Sequence, residues 1–431
     1  RCDGRKVGMT CTDGIWIDDR RIDNGDCSGP VSAQTVLAHP QVEAAVLETA
    51  RGGILRAGLG FDCCDVAVVT NIGEGDHLGL EGIDTLEKLA LVKRTIVDVV
   101  KPTGTAVLNA ADPFVAPMSE KCPGKSLMFA IAEHHPALFA HRSAGKSVIF
   151  VRNGSIVLVE NGEETIIDTL TNIPVTMKGH VAFQVENVLS AAAAGWSLGL
   201  PLSQIQLGLR TFHPDLKQSP GRFNIVEINQ AMVVVDYGHN PSALDALIKA
   251  VETLPGNRRS VVYSTAGDRR NCDIERQGEQ LGNHFDDVYV YEGHYKRGRA
   301  DGETIALFQS GLNRGTRAKN ICTVEGALVA AEKALDNLRP GDLLLLQADT
   351  VDETVEFLMD YVSRKNLTPI SMTAATLTAA ILPAENLTSS NPVQKTERAT
   401  VHSGSGDCAT IEVNSTSANP VTSQTHPTVT A

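Results

Sequence analysis

The chain has 431 residues, 42% of them hydrophobic and 21% charged, which is typical of a globular protein with two or three domains. A net charge of -13 at pH 7 argues against nucleic acid as a partner, because phosphate binding needs a basic surface. No apolar run approaches the roughly 20 residues that cross a membrane, and the polar start RCDGRKVGMTC does not resemble a signal peptide. The nine cysteines form no C-x-x-C pair, so we expect free thiols and a cytoplasmic location.

The first predicted strands place polar side chains at their carboxyl ends. A strand over residues 42–47 is followed by Glu48, and a strand over residues 65–70 is followed by Asn71, Asp76 and His77. Ligands collect at the ends of adjacent strands in an open parallel sheet. These side chains are therefore candidates for a shared site.

The next helix carries a lysine in an unexpected position. It begins with Asp84-Thr85-Leu86-Glu87, a D-x-x-E variant of the capping box. The spacing of its apolar residues puts Lys93 on the face that should be buried. Such a lysine can extend its ammonium to the surface, pair with a carboxylate, or carry a depressed pKa that suits chemistry. Periodicity alone leaves these readings open.

Two further patterns describe the rest of the chain. Asn-Gly turns at 153–154 and 161–162 predict a small antiparallel hairpin appendage over about residues 148–167. Further on, strands over 232–235, 260–264, 287–291, 320–324 and 342–347 alternate with helices near 273–285, 302–312 and 325–338. This alternation predicts a parallel α/β domain with right-handed crossovers.

The block LETARGGILRAGLGFDCCDVAVVTNIGEGDHLGLEG resembles the corresponding part of the cyanophycin synthetases, within the Mur ligase superfamily. The resemblance extends over roughly residues 4–362. It implies an α/β fold with a Mur ligase-type central ATPase domain and a C-terminal Rossmann-like domain. It also implies a catalytic group of Glu48, His77 and Lys93, in which Glu48 and His77 hold Mg²⁺ beside ATP and carbon dioxide carbamylates Lys93.

Other motifs that resemble the family imply the remaining site residues. The motifs N-A-A-D-P, G-H-x₆-N, P-G-R and D-Y-G-H-N-P imply the nucleotide-binding residues Asn109, Asp112, Asn187, Arg222, Asp236 and His239. The G-D-R-R loop implies that the incoming amino acid is bound by Asp268, Arg269 and Arg270.

One expected motif is absent: the sequence contains no G-x-x-x-x-G-K-[ST] phosphate loop. We therefore expect that loop to lie upstream of Arg1 and the fragment to be inactive alone. The predicted domains are a truncated Mur ligase central domain over 1–219 and a C-terminal domain over 220–366. Residues 367–431, rich in Ser, Thr, Pro and Asn, are predicted to be a disordered tail.

The resemblance implies ATP-dependent amide formation. An amino acid, arginine in the cyanophycin synthetases, is joined to the β-carboxyl of aspartate in a polypeptide-like polymer through an acyl phosphate. We expect a homo-oligomer. The alternatives are another Mur-type ligase, of the folylpolyglutamate or cell-wall kind, and a non-catalytic Mur-like scaffold domain.

Overall fold

The structure is a computed structural model that describes residues 2–73, 78–293 and 296–365, together with residues 367 and 370–371. All of these residues fall in one compact unit. The described helices and strands form three sheets with helices packed on them. No helix in the described part of the chain is both long and apolar enough to cross a membrane.

A small four-stranded sheet holds the beginning of the chain. Its elements are β1 (Val7–Cys11), β2 (Gly14–Ile17), β3 (Arg20–Asn24), α1 (Pro30–Leu37), β4 (Ala44–Leu47) and α2 (Arg51–Ala57). The strand order is β3-β2-β1-β4, and β4 runs parallel to β1. Ile15, Ile17 and Val36 are buried between this sheet and α1.

A six-stranded sheet forms the second layer. Its elements are β5 (Cys64–Val69), α3 (Leu86–Asp98), β6 (Val100–Asn109), β7 (Lys125–Ala132), α4 (Pro136–Ser143), β8 (Ser147–Arg152), β9 (Ser155–Glu160), β10 (Glu163–Thr169), α5 (Ala182–Ser197) and α6 (Leu202–Thr211). The order is β10-β9-β8-β7-β6-β5, parallel from β5 to β8 and antiparallel from β8 to β10. Separate apolar clusters cover its two faces, one including α3 and the other α5.

A seven-stranded sheet forms the last layer. Its elements are β11 (Asn224–Ile228), β12 (Ala231–Asp236), α7 (Pro241–Glu252), β13 (Arg259–Tyr263), α8 (Asn271–His284), β14 (Asp287–Tyr291), α9 (Glu303–Leu312), β15 (Asn320–Val324), α10 (Ala327–Asp336), β16 (Leu343–Gln347), α11 (Val351–Arg364) and β17 (Ile370–Ser371). The order is β15-β14-β13-β16-β12-β11-β17. The strands from β15 to β12 are parallel, as the alternating pattern predicts, and β11 and β17 add an antiparallel edge.

Three details differ from the sequence expectations. Strands β4 and β5 are not neighbours in one sheet, because β4 pairs with β1 and β5 pairs with β6. The hairpins over 147–169 are present, but they extend the six-stranded sheet through β8 rather than forming a separate appendage. The α3 helix is capped by Thr85, whose hydroxyl accepts from the Lys88 N–H, and not by Asp84.

Strand β11 was not predicted from the sequence. It forms a β-hairpin with β12. Asn229 and Gln230 both have positive φ, at 53° and 59°, and they join β11 to β12 in a two-residue turn. The predicted tail over 367–431 lies outside the described residues except for residue 367 and β17, which pairs with β11.

Candidate active site

Glu48 follows β4, as the sequence predicts, and its side chain is exposed. Its two carboxylate oxygens accept from Thr12, one from the backbone N–H at 2.9 Å and the other from the hydroxyl at 2.8 Å. Thr12 lies in the turn between β1 and β2, so the pairing of β1 with β4 brings the two residues together. Because Thr12 holds both oxygens, the carboxylate has a fixed orientation.

Arg222 contacts the same turn through Asp13. Its guanidinium lies 3.5 Å from the carboxylate of Asp13 and its centre 4.9 Å from the centre of the Tyr237 ring. Asp13 directly follows Thr12. A continuous line of contacts therefore runs from Glu48 through Thr12 and Asp13 to the end of β12.

Asp236 is the last residue of β12 and is half-buried. Its oxygens accept from the backbone N–H of Phe223 at 2.8 Å and of Gly238 at 2.7 Å. Burial nevertheless raises the pKa of Asp236 to about 6, although these two bonds and the nearby Arg222 favour the charged form. Phe223 has a φ of 55°, unusual for a bulky residue, and this conformation accompanies the bond from its N–H to Asp236.

His239 lies two residues after the Tyr237 ring that Arg222 covers. The Nδ1 of His239 donates to the carbonyl of Tyr237 at 3.1 Å, so in the neutral ring Nδ1 carries the hydrogen and Nε2 is the acceptor. The carbonyl of His239 accepts from Thr265 at 3.3 Å and from Gln277 at 3.1 Å. These bonds connect the loop after β12 to the chain after β13, through Thr265, and to α8, through Gln277.

Asn224, a residue that the sequence analysis missed, forms hydrogen bonds that hold the P-G-R loop in place. Asn224 is 1% exposed; its oxygen accepts from the Gly221 N–H at 2.7 Å, and its amide donates to the carbonyls of Pro214 and Ser219. The carbonyl of Gly221 accepts from the Tyr237 N–H at 2.9 Å. An asparagine three residues after a Pro-Gly pair was the available signal.

Asn109 and Asp112 lie at the end of β6 and bind the chain after β5. The Asn109 amide donates to the Thr70 carbonyl at 2.9 Å, and an Asp112 oxygen accepts from the Ile72 N–H at 2.7 Å. Both side chains thus position the loop that follows β5. Nucleotide contact by either residue stays a prediction.

Glu186 on α5 is a second residue that the sequence analysis missed. It is half-buried, and burial raises its pKa; the nearby Asn109 amide opposes this shift, while the charge of Asp112 adds to it. A half-buried acid with a raised pKa beside predicted site residues is a candidate functional group.

His77 lies outside the described residues, so the predicted pairing of Glu48 and His77 on a metal remains a prediction. Within the described residues, no three His, Cys, Asp or Glu side chains are close enough together to hold a metal ion. Lys93 is half-buried on α3, which packs against α2, the helix that begins three residues after Glu48. Lys93 is therefore only partly buried on the helix face that the sequence pattern predicts to be buried.

Asn187 is exposed on α5 and donates to the Gln184 side chain at 3.1 Å. Both residues border a mostly apolar groove of about 430 Å³ between α5 and α6. A flat apolar ligand part such as a nucleobase fits a groove with amide groups at its rim. Its binding there stays a prediction.

The G-D-R-R loop follows β13 and is held by its own contacts. Asp268 accepts from Arg297, Arg269 is 4% exposed, and Arg270 binds both oxygens of Asp273 at 2.8 Å. Arg299, with a side chain 12% exposed, donates to the carbonyls of Gly267 and Arg269 at 2.6 Å. The three predicted substrate residues therefore sit on a rigid loop.

The geometry brings together Glu48, Arg222, Asp236 and His239, since the contacts of Thr12, Asp13 and Tyr237 connect them. Asn109 and Asp112 lie at the end of β6, and Asp268, Arg269 and Arg270 at the end of β13. Apart from Arg222, which precedes β11, these positions lie at or just after the end of a strand with a parallel neighbour, as expected for ligand sites in α/β sheets.

Two family models match the chain in succession: the Mur ligase middle domain over residues 6–195 and the Mur ligase, glutamate ligase domain over residues 221–349. The chain therefore belongs to the Mur ligase family, and the predicted α/β fold class is confirmed. The exact domain boundaries at 219/220 and 366 stay predictions.

Within this family the chain is homologous to the cyanophycin synthetases. It is 39% identical to "Cyanophycin synthetase" of Synechocystis sp. over 356 residues, which is 82% of this chain and 40% of the relative. The chain thus spans about two fifths of the length of the curated relatives that it matches.

Two solved structures share the fold at low sequence identity. "E.coli FolC in complex with ADP, without folate substrate" has a TM-score of 0.61 at 18% identity and covers 84% of each chain. The Yersinia pestis bifunctional folylpolyglutamate synthase/dihydrofolate synthase, complexed with AMPPNP and Mn ion, has a TM-score of 0.60 at 18% identity and covers 83% of each chain.

Proposed function

We propose that the chain is the Mur ligase-type part of an ATP-dependent amide ligase that joins arginine to the β-carboxyl of an aspartate in cyanophycin. The homology to cyanophycin synthetases over most of the chain supports this substrate choice. The observation that carries the proposal is the contact line from Glu48 through Thr12 and Asp13 to Arg222, which joins the first sheet to the end of β12.

The residues present suit a magnesium nucleotide. An exposed carboxylate with fixed oxygens, as at Glu48, is the ligand type that Mg²⁺ prefers, and His77 is the proposed second ligand. FolC-type relatives of the same fold were solved with ADP or with AMPPNP and Mn, which supports a nucleotide and a divalent cation here. Bound there, Mg²⁺ would neutralise charge on the phosphates.

The proposed reaction has two steps. A substrate carboxylate attacks the γ-phosphorus of ATP and ADP leaves, giving an acyl phosphate. The amine of the amino acid then attacks the acyl carbon, phosphate leaves, and the amine loses a proton. Arg222 would contact phosphate oxygens with its planar, permanently charged guanidinium. His239 presents Nε2 as the acceptor nitrogen of its ring, fixed by the bond from Nδ1 to Tyr237.

Two finer parts of the proposal concern Lys93 and the incoming amino acid. Carbamylation joins the neutral Lys93 amine to carbon dioxide with loss of a proton, which replaces a positive charge by a negative one. Isotopic labelling with ¹³C bicarbonate would detect this carbamate by NMR, and a Lys93→Arg variant should lack the signal. Asp268, Arg269 and Arg270 are proposed to face the incoming amino acid.

The sequence contains no phosphate-loop motif, so we propose that this stretch alone turns over ATP poorly. The test compares the chain with a version extended upstream by a phosphate loop, given ATP, Mg²⁺, arginine and an aspartate-based primer. Arginine-dependent phosphate release and a product heavier by one arginyl group should occur only with the extended chain. If product forms with glutamate or diaminopimelate and not with arginine, the chain is a Mur-type ligase of the folylpolyglutamate or cell-wall kind.

A non-catalytic scaffold is the second candidate, and the missing phosphate-loop motif is the observation that favours it. Calorimetry with AMPPNP separates the two, because a scaffold has no need of a nucleotide. If the extended chain shows no Mg²⁺-dependent binding of AMPPNP, the ligase proposal fails. In either case we propose a homo-oligomer, and light scattering would measure the molar mass of the assembly.

A further inference from the structure

Arg51 carries a buried positive charge beside the candidate active site. It is the first residue of α2 and lies three residues after Glu48, which follows β4. The residue is 7% exposed, and an arginine is almost never fully buried unless it is paired, because its guanidinium stays charged. Its partners therefore show what holds the end of β4 in place.

Two partners of Arg51 lie on the chain that follows β5. The Arg51 guanidinium donates to the Glu81 carboxylate at 3.1 Å and to the Leu80 carbonyl at 3.5 Å. Arg56, from the next turn of α2, places its guanidinium 3.5 Å from the other oxygen of Glu81. Helix α2 follows a strand of the first sheet, whereas Glu81 follows a strand of the second sheet. The two ion pairs therefore connect the two sheets.

Glu81 lies in a compact turn over residues 79–83, which we call the Glu81 turn. The Gly79 N–H donates to the Ile83 carbonyl at 2.8 Å, and the Ile83 N–H donates to the Leu80 carbonyl at 3.0 Å. Glu81 has a φ of 55°, in the left-handed region that residues other than glycine rarely adopt. Such a conformation persists only where surrounding contacts hold it, and the two arginines of α2 supply contacts of this kind.

Apolar side chains fix the Glu81 turn to the six-stranded sheet. Leu78, directly before the turn, and Ile83, at its end, are both buried. They belong to the apolar cluster that includes Val69 of β5 and Leu89 of α3. The ends of the turn are thus held by the second sheet, while Glu81 in its middle is held by α2.

No backbone ladder among the described strands joins β4 to β5, since β4 pairs with β1 and β5 pairs with β6. Glu48 follows β4, whereas Asn109 and Asp112 lie at the end of β6, so the predicted ligands of the magnesium nucleotide belong to two different sheets. A nucleotide that contacts both groups needs them at a fixed separation, because small displacements of a site's ligands weaken binding. The contacts of Arg51 act across this separation.

Arg51 and Arg56 share one carboxylate but differ in burial. The side chain of Arg51 is buried, whereas that of Arg56 is 71% exposed. A buried guanidinium is held in one position by its neighbours, while an exposed one moves and is screened by water and salt. Arg51 should therefore control the position of Glu81, and Arg56 provides a matched control.

We propose that Arg51 is a positioning residue of the ligase site. Through Glu81 it fixes the end of β4, and with it Glu48, relative to the strand ends of the second sheet. Arg51 itself contacts neither nucleotide nor metal in this role. The inference deepens the proposed function and rests on it for the identity of the ligand, a magnesium nucleotide.

Calorimetry with AMPPNP on the extended chain tests the inference, both with Mg²⁺ and without it. Arg51→Met removes the charge and the hydrogen bonds while it retains most of the buried volume. We expect it to weaken Mg²⁺-dependent binding about tenfold or more, because the loss of a group that orients a metal ligand typically has this effect. Binding without Mg²⁺ should change less than about twofold, since the other contacts of the nucleotide remain. A general loss of structure would weaken both.

Three further variants locate the effect. Glu81→Gln keeps the shape of the side chain and removes its charge, so it should reproduce the loss seen with Arg51→Met. Arg51→Lys keeps a positive charge near Glu81, so its affinity should lie between those of the parent and Arg51→Met. Arg56→Met removes the exposed arginine from the same carboxylate and should change binding less than about twofold.

Hydrogen exchange without nucleotide gives a second readout. In Arg51→Met the amide hydrogens of Gly79 and Ile83 should exchange at least about fivefold faster, because Glu81 is no longer held by α2. The amide hydrogens of β13 and β14, in the third sheet, should exchange at the rate of the parent, which shows that the variant is folded. Unchanged exchange at the Glu81 turn would contradict the proposed role of Arg51.

The outcomes separate this inference from the proposed function. Equal weakening of AMPPNP binding with and without Mg²⁺, or a loss with Arg56→Met as large as with Arg51→Met, overturns the inference. If the parent ligates arginine while Arg51→Met binds Mg²⁺-AMPPNP as tightly, only the inference fails. If Arg51→Met loses Mg²⁺-dependent binding selectively but the parent forms no product with any amino acid, only the proposed function fails. A parent without Mg²⁺-dependent binding overturns both.

Discussion

Thr12 donates to both carboxylate oxygens of Glu48, through its backbone N–H at 2.9 Å and its hydroxyl at 2.8 Å. Thr12→Val keeps the backbone bond and removes the hydroxyl bond, so only one oxygen of the Glu48 carboxylate stays held in place. We expect the apparent affinity for Mg²⁺-AMPPNP in the extended chain to fall about fivefold to tenfold.

Thr12→Ser is the matched control because it retains the hydroxyl, and it should bind within about twofold of the parent. Calorimetric titrations of the three chains provide the comparison. Equal affinities for the valine variant and the parent would mean that the hydroxyl does not help to position Glu48.

The raised pKa of Asp236 predicts a pH dependence of stability. Its ordinary value is 3.8 and its value in the folded chain is about 6, so between these values the folded state binds more protons than the unfolded state. The contribution of Asp236 to the free energy of unfolding is largest below pH 3.8. About 2–3 kcal/mol of it is lost as the pH rises through 6.

Asp236→Asn should lower the free energy of unfolding at low pH. Its side-chain nitrogen would face one of the two backbone N–H donors and cannot accept a hydrogen bond from it. It should also remove this pH dependence. Urea unfolding of both chains at several pH values from 4 to 7 measures the difference in slope. Parallel curves would contradict a raised pKa at Asp236.

Arg299 should contribute more to stability than Arg297 in the same loop. Its side chain is 12% exposed and donates to two carbonyls of the G-D-R-R loop, whereas that of Arg297 is 46% exposed and pairs with Asp268. We expect Arg299→Met to cost about 2–4 kcal/mol and Arg297→Met under about 1 kcal/mol. Denaturant unfolding of the two variants measures this contrast, and similar losses would refute it.

Thr85, and not Asp84, should determine the stability of the start of α3. Thr85→Ala removes the side-chain cap on the Lys88 N–H and should cost about 1 kcal/mol. Asp84→Ala removes an exposed ion pair with Lys88 and should cost under about 0.5 kcal/mol. Urea unfolding compares them, and a larger loss for Asp84→Ala would support the capping box that the sequence predicts.

Local patterns predicted the elements of the C-terminal sheet most closely. Strands β14, β15 and β16 and helices α8 to α10 lie within two residues of their predicted ends, because alternating apolar runs and polar turns define them locally. The resemblance led to the family, and the two family models support it. Thr12 and Glu186 were missed because their partners Glu48 and Asn109 lie 36 and 77 residues away in the sequence.

The sequence by itself determined the parallel α/β architecture and the strand ends that carry Glu48, Asp236 and the G-D-R-R loop, because apolar periodicity and turn residues act over short distances along the chain. Only the tertiary structure decided that β4 pairs with β1 instead of joining the sheet of β5, and that Asp13 reaches Arg222. Strand pairing and ion pairs between distant residues depend on which surfaces pack together, and no local pattern encodes that choice.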